Sequence, residues 1–389
     1  MASGASELLE RKKTGEMTIV DIHTHVYPPA YMDLLRSRDT VPYVRTFPPS
    51  TEERLIILPG EDSSNSSTAR GRPIGPEYYD FSYKIAFMDQ HKIDISVVSL
   101  ANPWLDFLPP SEAAETAMLI NDDMDASCGL YPGRLYAFGT LPLSASVEEI
   151  TEEIRRLKGM PWIRGVVMGT SGLGNGLDDE RLNPVYEALE ETGQTMFLHP
   201  HYGLPTEVYG PRASEYGHVL PLALGFPLET TIAVARLILS GVFDKYPGLT
   251  LLLAHSGGTL PFLAGRLESV IAHDAHLKDT NTAPKRSIWD VLSKNLILDA
   301  VVYSSVGLKA AVDVAGADRV LFGTDHPFFP PLEGEEDQPW LSVTTNYKAI
   351  NDSFGLERGI AEGVLGDNAV RLLNLRFGRQ STGCDLEKI

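Results

Sequence analysis

Scarcity sets the first limits on this chain. Two cysteines, Cys128 and Cys384, occur in 389 residues, too few for a disulfide scaffold and without the spacing of a zinc–thiolate site. A reducing, cytoplasmic setting is expected. Basic residues are also short: 33 Lys and Arg face 52 Asp and Glu, a net charge of −19. That balance argues against nucleic acid or an anionic membrane surface as the main partner, while leaving room for an arginine-lined pocket. No apolar run is expected to reach the roughly 18 residues that a membrane-spanning helix needs. The opening "MASGASELLERKKTGEM" has no apolar signal core, so residues 1–16 read as a polar, mobile extension. Nucleotide signatures are missing too. No GxGxxG follows a strand pattern and no P-loop occurs, so dinucleotide and P-loop chemistry lose their main support.

What the sequence does have is alternation. Eight apolar, β-rich runs are present: "MTIVDIH", "DISVVSL", "RLYAFGTLPL", "IRGVVMG", "QTMFLHP", "LTLLLAHSG", "NLILDAV" and "DRVLFGTDHP". Between them lie segments such as "SVEEITEEIRRLKGM", whose apolar residues recur every three or four positions, as in a helix packed on a sheet. The pattern predicts an α/β fold, a (β/α)8 TIM-type barrel forming one catalytic domain over residues 17–378. Two segments break it. Residues 26–80, rich in Pro, Gly and Ser, read as a lid or small hairpin inserted after strand 1, and "FFPPLEGEEDQPW" reads as a second long loop. C-terminal helices run to about residue 378, and 379–389 read as a frayed tail.

Chemistry-bearing residues collect at the ends of these runs. In "DIHTH", His23 and His25 stand at i and i+2, so in a strand both imidazoles face the same side and can meet one cation. His199 closes "TMFLHP", His255 closes "TLLLAH" and Asp325 follows "RVLFGT". A lone histidine at a strand end is more often structural. Five metal-competent residues at four strand ends of one barrel pattern form a candidate active site, because barrels gather their chemistry at the C-terminal ends of the strands.

With these motifs the chain resembles the amidohydrolase superfamily, in its aminocarboxymuconate-semialdehyde decarboxylase-like branch. The resemblance runs from "DIHTH" through "GFPLETTIAVARLILSGVFDKYPGL" and "LLLAHSGGTLPFLAGRLE" to "LFGTDHPF". It implies one divalent metal per chain, zinc or alternatively Mn²⁺, held by His23, His25, His199 and Asp325 with His255 beside it, and no organic cofactor. Binuclear hydrolytic members use a lysine at the fourth strand, where this chain reads "WIRGVVMGTSG". The implied reaction is non-oxidative decarboxylation of a ring carboxylic acid, with Asp325 and His255 as the catalytic acid–base pair. Within the branch the pattern is most similar to members acting on uracil-5-carboxylate in pyrimidine (thymidine) salvage. There Arg72, Asn102, Phe226, Arg266 and Phe328 would form the substrate cage, with Arg266 reaching a dimer interface. Decarboxylation of salicylate- or dihydroxybenzoate-type acids or of aminocarboxymuconate semialdehyde, hydrolysis by a mononuclear metal, and a non-catalytic binding barrel are the alternative readings.

Overall fold

The computed structural model describes residues 17–63, 70–201, 203–332, 334, 338–355 and 357–376. The N-terminal extension and the C-terminal tail expected from the sequence lie outside this set. The eight runs form eight parallel strands: β1 (Val20–His25), β5 (Ile95–Ser99), β6 (Leu135–Thr140), β7 (Ile163–Gly169), β8 (Thr195–His199), β9 (Leu251–Leu253), β10 (Leu296–Asp299) and β11 (Val320–Leu321). They are hydrogen-bonded in sequence order from β1 to β11, each parallel to the next. Ile22 N donates to Phe322 O at 3.1 Å and His25 N to His326 O at 2.7 Å, which closes the barrel at the β1–β11 seam.

Alternate strand residues divide between two apolar clusters, which is why the strands read as unbroken apolar runs rather than half-polar ones. Phe138, Phe197, Leu252 and Ile297 pack in one cluster. Their neighbours Ala137, Met196, Leu198, Leu251, Leu253 and Leu298 pack in the other, among side chains of the surrounding helices such as Ile154, Leu189 and Leu237. Period 2 thus splits each strand between barrel interior and helical layer.

The insertion is more than the lid or hairpin expected. It holds the helix Pro29–Ser37 and an antiparallel sheet of β2 (Tyr43–Thr46), β3 (Glu53–Ile56) and β4 (Arg72–Pro73). Leu55 pairs with Arg72 in this sheet, so a separate small sheet sets the position of Arg72. A second expectation also needs correction. The continuous helical segment Pro221–Leu239 reaches 19 residues at mean hydropathy 1.6, enough by length and composition to cross a membrane. Its polar residues tie it to the barrel. Glu229 accepts from His201 N at 2.6 Å and Gly203 N at 2.5 Å, and Arg236 pairs with Asp178 at 2.5 Å.

Candidate metal centre

His23 and His25 end β1, whose pairing with β5 shifts register between Asp21 and Thr24, and His199 ends β8. Their rings meet edge to face, with centroids 5.1 Å apart for His23–His25, 5.2 Å for His23–His199 and 5.1 Å for His25–His199. Asp325 completes the group. Its Oδ1 lies 3.3 Å from His23 Nε2 and 3.4 Å from His25 Nε2, and its Oδ2 lies 3.7 Å from His255 Nε2. Ligand atoms of His23, His199, His255 and Asp325 all fall within 4.8 Å of one another, so His255, expected beside the metal, belongs to this tight group, while His25 joins it through its contact with Asp325.

Each strand histidine is gripped at one nitrogen and bare at the other. His23 Nδ1 donates to Asp299 Oδ2 at 2.6 Å, and His199 Nδ1 donates to Pro200 O at 2.9 Å. His25 Nδ1 shares a 3.0 Å hydrogen bond with Ser99 Oγ. All three Nε2 atoms are buried without a hydrogen-bond partner. A buried polar atom left unpaired is costly unless something binds it. Imidazole fixed through Nδ1 with a free Nε2 lone pair is the arrangement of metal-bound histidine. The donor set of imidazole nitrogens and one carboxylate fits a divalent cation of the zinc or manganese class.

The electrostatics point the same way. Burial pulls His23 down, but the Asp325 and Asp299 carboxylates outweigh it and lift the ring to about 10. Burial holds His25 at about 4, and burial with the neighbouring imidazoles holds His199 well below the usual histidine range. Burial pushes Asp325 up, yet the His23 charge and the close approach of the His23, His25 and His255 rings keep it well below the usual carboxylate range. The carboxylates thus favour positive charge at this point while burial disfavours a proton on His25 and His199, the condition under which a cation displaces a proton.

The expected cage is only partly assembled. Phe328 packs against His25 with centroids 5.5 Å apart, and Phe226 lies 6.4 Å from the His255 ring. The Arg72 guanidinium lies over the rings of Tyr78 at 5.2 Å and Phe328 at 4.8 Å, and donates to Tyr27 Oη at 2.7 Å. Asn102 donates Nδ2 to the His201 carbonyl at 2.5 Å. Arg266 is not part of this assembly. It stands exposed on the helix Leu260–His273, the helix that the resemblance puts near a dimer interface.

Sequence reading missed the residues that grip the ligands. Asp299 is fully buried and accepts from the His23 ring, His255 N at 2.9 Å, Ser256 N at 2.7 Å and Val301 N at 3.0 Å. It closes the run "NLILD", so the strand-end rule that found the other ligands applies to it equally. A cleft of about 630 Å³ lined by Tyr136, Trp162, Arg164 and Arg376 opens at the opposite end, where the strands begin. That face of a barrel serves stability rather than chemistry.

The amidohydrolase family model matches residues 20–375. Among solved structures, the apo crystal structure of IDCase (isoorotate decarboxylase) from Metarhizium anisopliae is 53% identical at TM-score 0.89, covering 93% of this chain and 98% of that one. A gamma-resorcylate decarboxylase from Rhizobium sp. is 31% identical over 70% of this chain and 83% of its own length. A 2-amino-3-carboxymuconate-6-semialdehyde decarboxylase from Dictyostelium discoideum is 28% identical over 79% and 81%. The 5-carboxyvanillate decarboxylase LigW of Sphingomonas paucimobilis, 21% identical at TM-score 0.71, shares the fold.

Proposed function

Because the chain belongs to the amidohydrolase family, matched over residues 20–375, we propose that it is a metal-dependent, non-oxidative decarboxylase of a ring carboxylic acid. Uracil-5-carboxylate is the substrate we assign, giving uracil and CO2, with a role in pyrimidine salvage. The observation that carries the reading is the convergence of ligand atoms of His23, His199, His255 and Asp325 within 4.8 Å, with the Nε2 atoms of His23, His25 and His199 buried and without a hydrogen-bond partner. The 53% identity to IDCase supports the choice of ring. His23, His25, His199 and Asp325 hold one divalent ion, zinc or manganese, with His255 at its side. When bound, the ion supplies an electrophilic anchor for the substrate carboxylate and the adjacent C4 carbonyl oxygen.

Loss of CO2 from an unsaturated ring carbon would leave a vinylic carbanion, so that carbon is protonated first. Asp325 lies at the centre and delivers the proton to C5. The C5–carboxylate bond then breaks, its electron pair restores the C5=C6 double bond, and no oxidant is consumed. The His23 charge keeps Asp325 well below the usual carboxylate range, which favours a proton supplied by a neighbouring group. His255, 3.7 Å away with its side chain 16% exposed, is the relay to solvent. Arg72, fixed between Tyr78 and Phe328, meets the anionic edge of the substrate. Phe226 and Phe328 flank the ring, and Asn102 Oδ1 accepts from a ring N–H.

A second copy of the chain belongs to the same proposal. Phe262 (88% exposed) and Val270 lie on the Arg266 helix, and Ile232 and Leu239 are exposed on the helix beside it. Thr231 and Thr259 hydrogen-bond across the two helices at 3.0 Å. An apolar surface of this kind marks an interface, and burying it between two copies would carry each Arg266 toward its neighbour. A cytoplasmic setting accords with the free, buried Cys128.

The purified protein is expected to hold about one divalent ion per chain by elemental analysis, and His199→Ala to lose most of it. A stoichiometry near two, or full activity after exhaustive chelation, contradicts the reading. The 31% identity to gamma-resorcylate decarboxylase favours one rival substrate class. Faster turnover of 2,6-dihydroxybenzoate than of uracil-5-carboxylate would transfer the assignment to it.

A further inference from the structure

The barrel closes where β1 meets β11, and that seam carries three of the site's groups: His23 and His25 on β1, and Asp325 just past β11. Asp325 has φ +59°, in the left-handed region that a non-glycine residue holds when its surroundings fix it there. Two polar rungs bracket it. One residue before, Thr324 donates to the Asp21 carboxylate from its backbone N at 3.1 Å and its Oγ1 at 2.7 Å. One residue after, His326 Nδ1 accepts from Lys84 Nζ at 2.5 Å, and the same ammonium donates to Thr24 Oγ1 at 2.6 Å. Thr24 is the residue between His23 and His25, and its Oγ1 donates to the His326 carbonyl at 3.1 Å.

Lys84, Asp21, Thr24, Thr324 and His326 are all 0% exposed. A lysine is almost never buried so completely without a task for its charge. Lys84 enters the seam from the helix Phe81–His91, which packs outside the barrel. Its Nζ is spent on Thr24 and His326, so it does not reach a substrate, and the decarboxylation chemistry makes no use of it. The parallel with Asp299 is close. His255 and Ser256 are also left-handed, both at φ 53°, and there the Asp299 carboxylate accepts from both of their backbone N–H groups.

We propose that Lys84 is a positioning residue: with Asp21 it clamps the β1–β11 seam, so that His23, His25 and Asp325 face one divalent cation at fixed spacing. This rests on the cation site described above but not on the identity of the substrate. Lys84→Met keeps the length and apolar stem of the side chain and removes its donors. The probe is Co²⁺, bound to the metal-stripped full-length protein. Affinity is read by chelator competition and ligand geometry by the visible absorption bands of the bound ion.

Lys84→Met is expected to bind Co²⁺ about 10- to 100-fold more weakly than wild type and to shift those bands, as loss of a group supporting metal ligands does. Turnover of the reloaded enzyme is expected to fall through kcat with KM little changed. Wild-type affinity with unchanged bands overturns the inference, even if the melting temperature drops, since that combination is a purely structural role. If Lys84→Met does not fold, Asp21→Asn/Lys84→Met, which removes both buried charges together, is read identically. Weakened, shifted Co²⁺ binding supports the clamp and wild-type binding overturns it. A wild-type chain that binds no Co²⁺ overturns the cation site and the clamp together. A chain that binds Co²⁺ but decarboxylates nothing overturns only the assigned reaction, and the clamp is then judged on affinity and bands alone.

Discussion

β1 delivers His23 and His25 from extended strand backbone, whereas the segments after β9 and β11 deliver His255 and Asp325 through backbone at φ 53° and 59°. In the strand, hydrogen bonds to β5 and β11 fix the two rings as part of the barrel itself. In the loops the same precision needs dedicated anchors, because an isolated left-handed residue costs of order 1–3 kcal/mol. Asp299 anchors His255, and the Asp21–Thr324 and Lys84–His326 rungs anchor the turn that carries Asp325. Strand-borne ligands therefore take their backbone from the barrel and need partners only for their rings, while each loop-borne ligand also recruits buried polar residues to hold its backbone.

The substitution that strikes both halves at once is Asp299→Ala, since that carboxylate holds the His23 ring on one side and the His255 and Ser256 N–H groups on the other. Denaturant unfolding is expected to show a loss of about 3–5 kcal/mol, as when a buried polar partner is removed. The variant should also fail to retain its ion through gel filtration. A loss under about 1 kcal/mol would mean that the two halves are not coupled through this residue.

Asp325→Asn touches the loop half alone. Turnover is expected to fall by about 10²- to 10⁴-fold, the range for removing a general acid, while substrate affinity by titration calorimetry persists through Arg72 and Phe226. Near wild-type turnover in Asp325→Asn alongside a dead His255→Ala would reverse the two assigned roles. The smallest effect belongs to the strand half. Ser99→Ala removes the partner of His25 Nδ1, but β1 still aims the ring. Metal affinity measured by chelator competition is expected to drop by about tenfold at most. A larger drop than Lys84→Met produces would invert the comparison.

The same contrast explains what could be read from the sequence. All eight barrel strands were legible because burial on both faces makes them continuous apolar runs, and "NLILD" or "TMFLH" has few other structural meanings. His23 and His25 were legible as an i, i+2 pair, and His199, His255 and Asp325 as polar residues closing such runs. The supporting residues were not. Lys84 stands in "FSYKIAFMDQH", where a lysine reads as a solvated helix position, and only the fold carries it 242 residues across the chain to His326. The small sheet was hidden because "YVRT" and "ERLI" are too short and too polar to outweigh the Pro and Ser around them. Arg266, expected at a dimer interface by resemblance, stands exposed on its helix.

The most direct test is one incubation of the zinc- or manganese-loaded protein with uracil-5-carboxylate in heavy water, without organic cofactor and without oxygen. Product would be followed by mass spectrometry and proton NMR. The site predicts uracil and CO2 in equal amounts, with one carbon-bound deuterium, at C5 of the uracil, and none at C6. Recovery of unchanged uracil-5-carboxylate from protein that holds its ion would contradict the substrate. Failure under the same conditions with 2,6-dihydroxybenzoate as well would contradict the assignment of this site to decarboxylation.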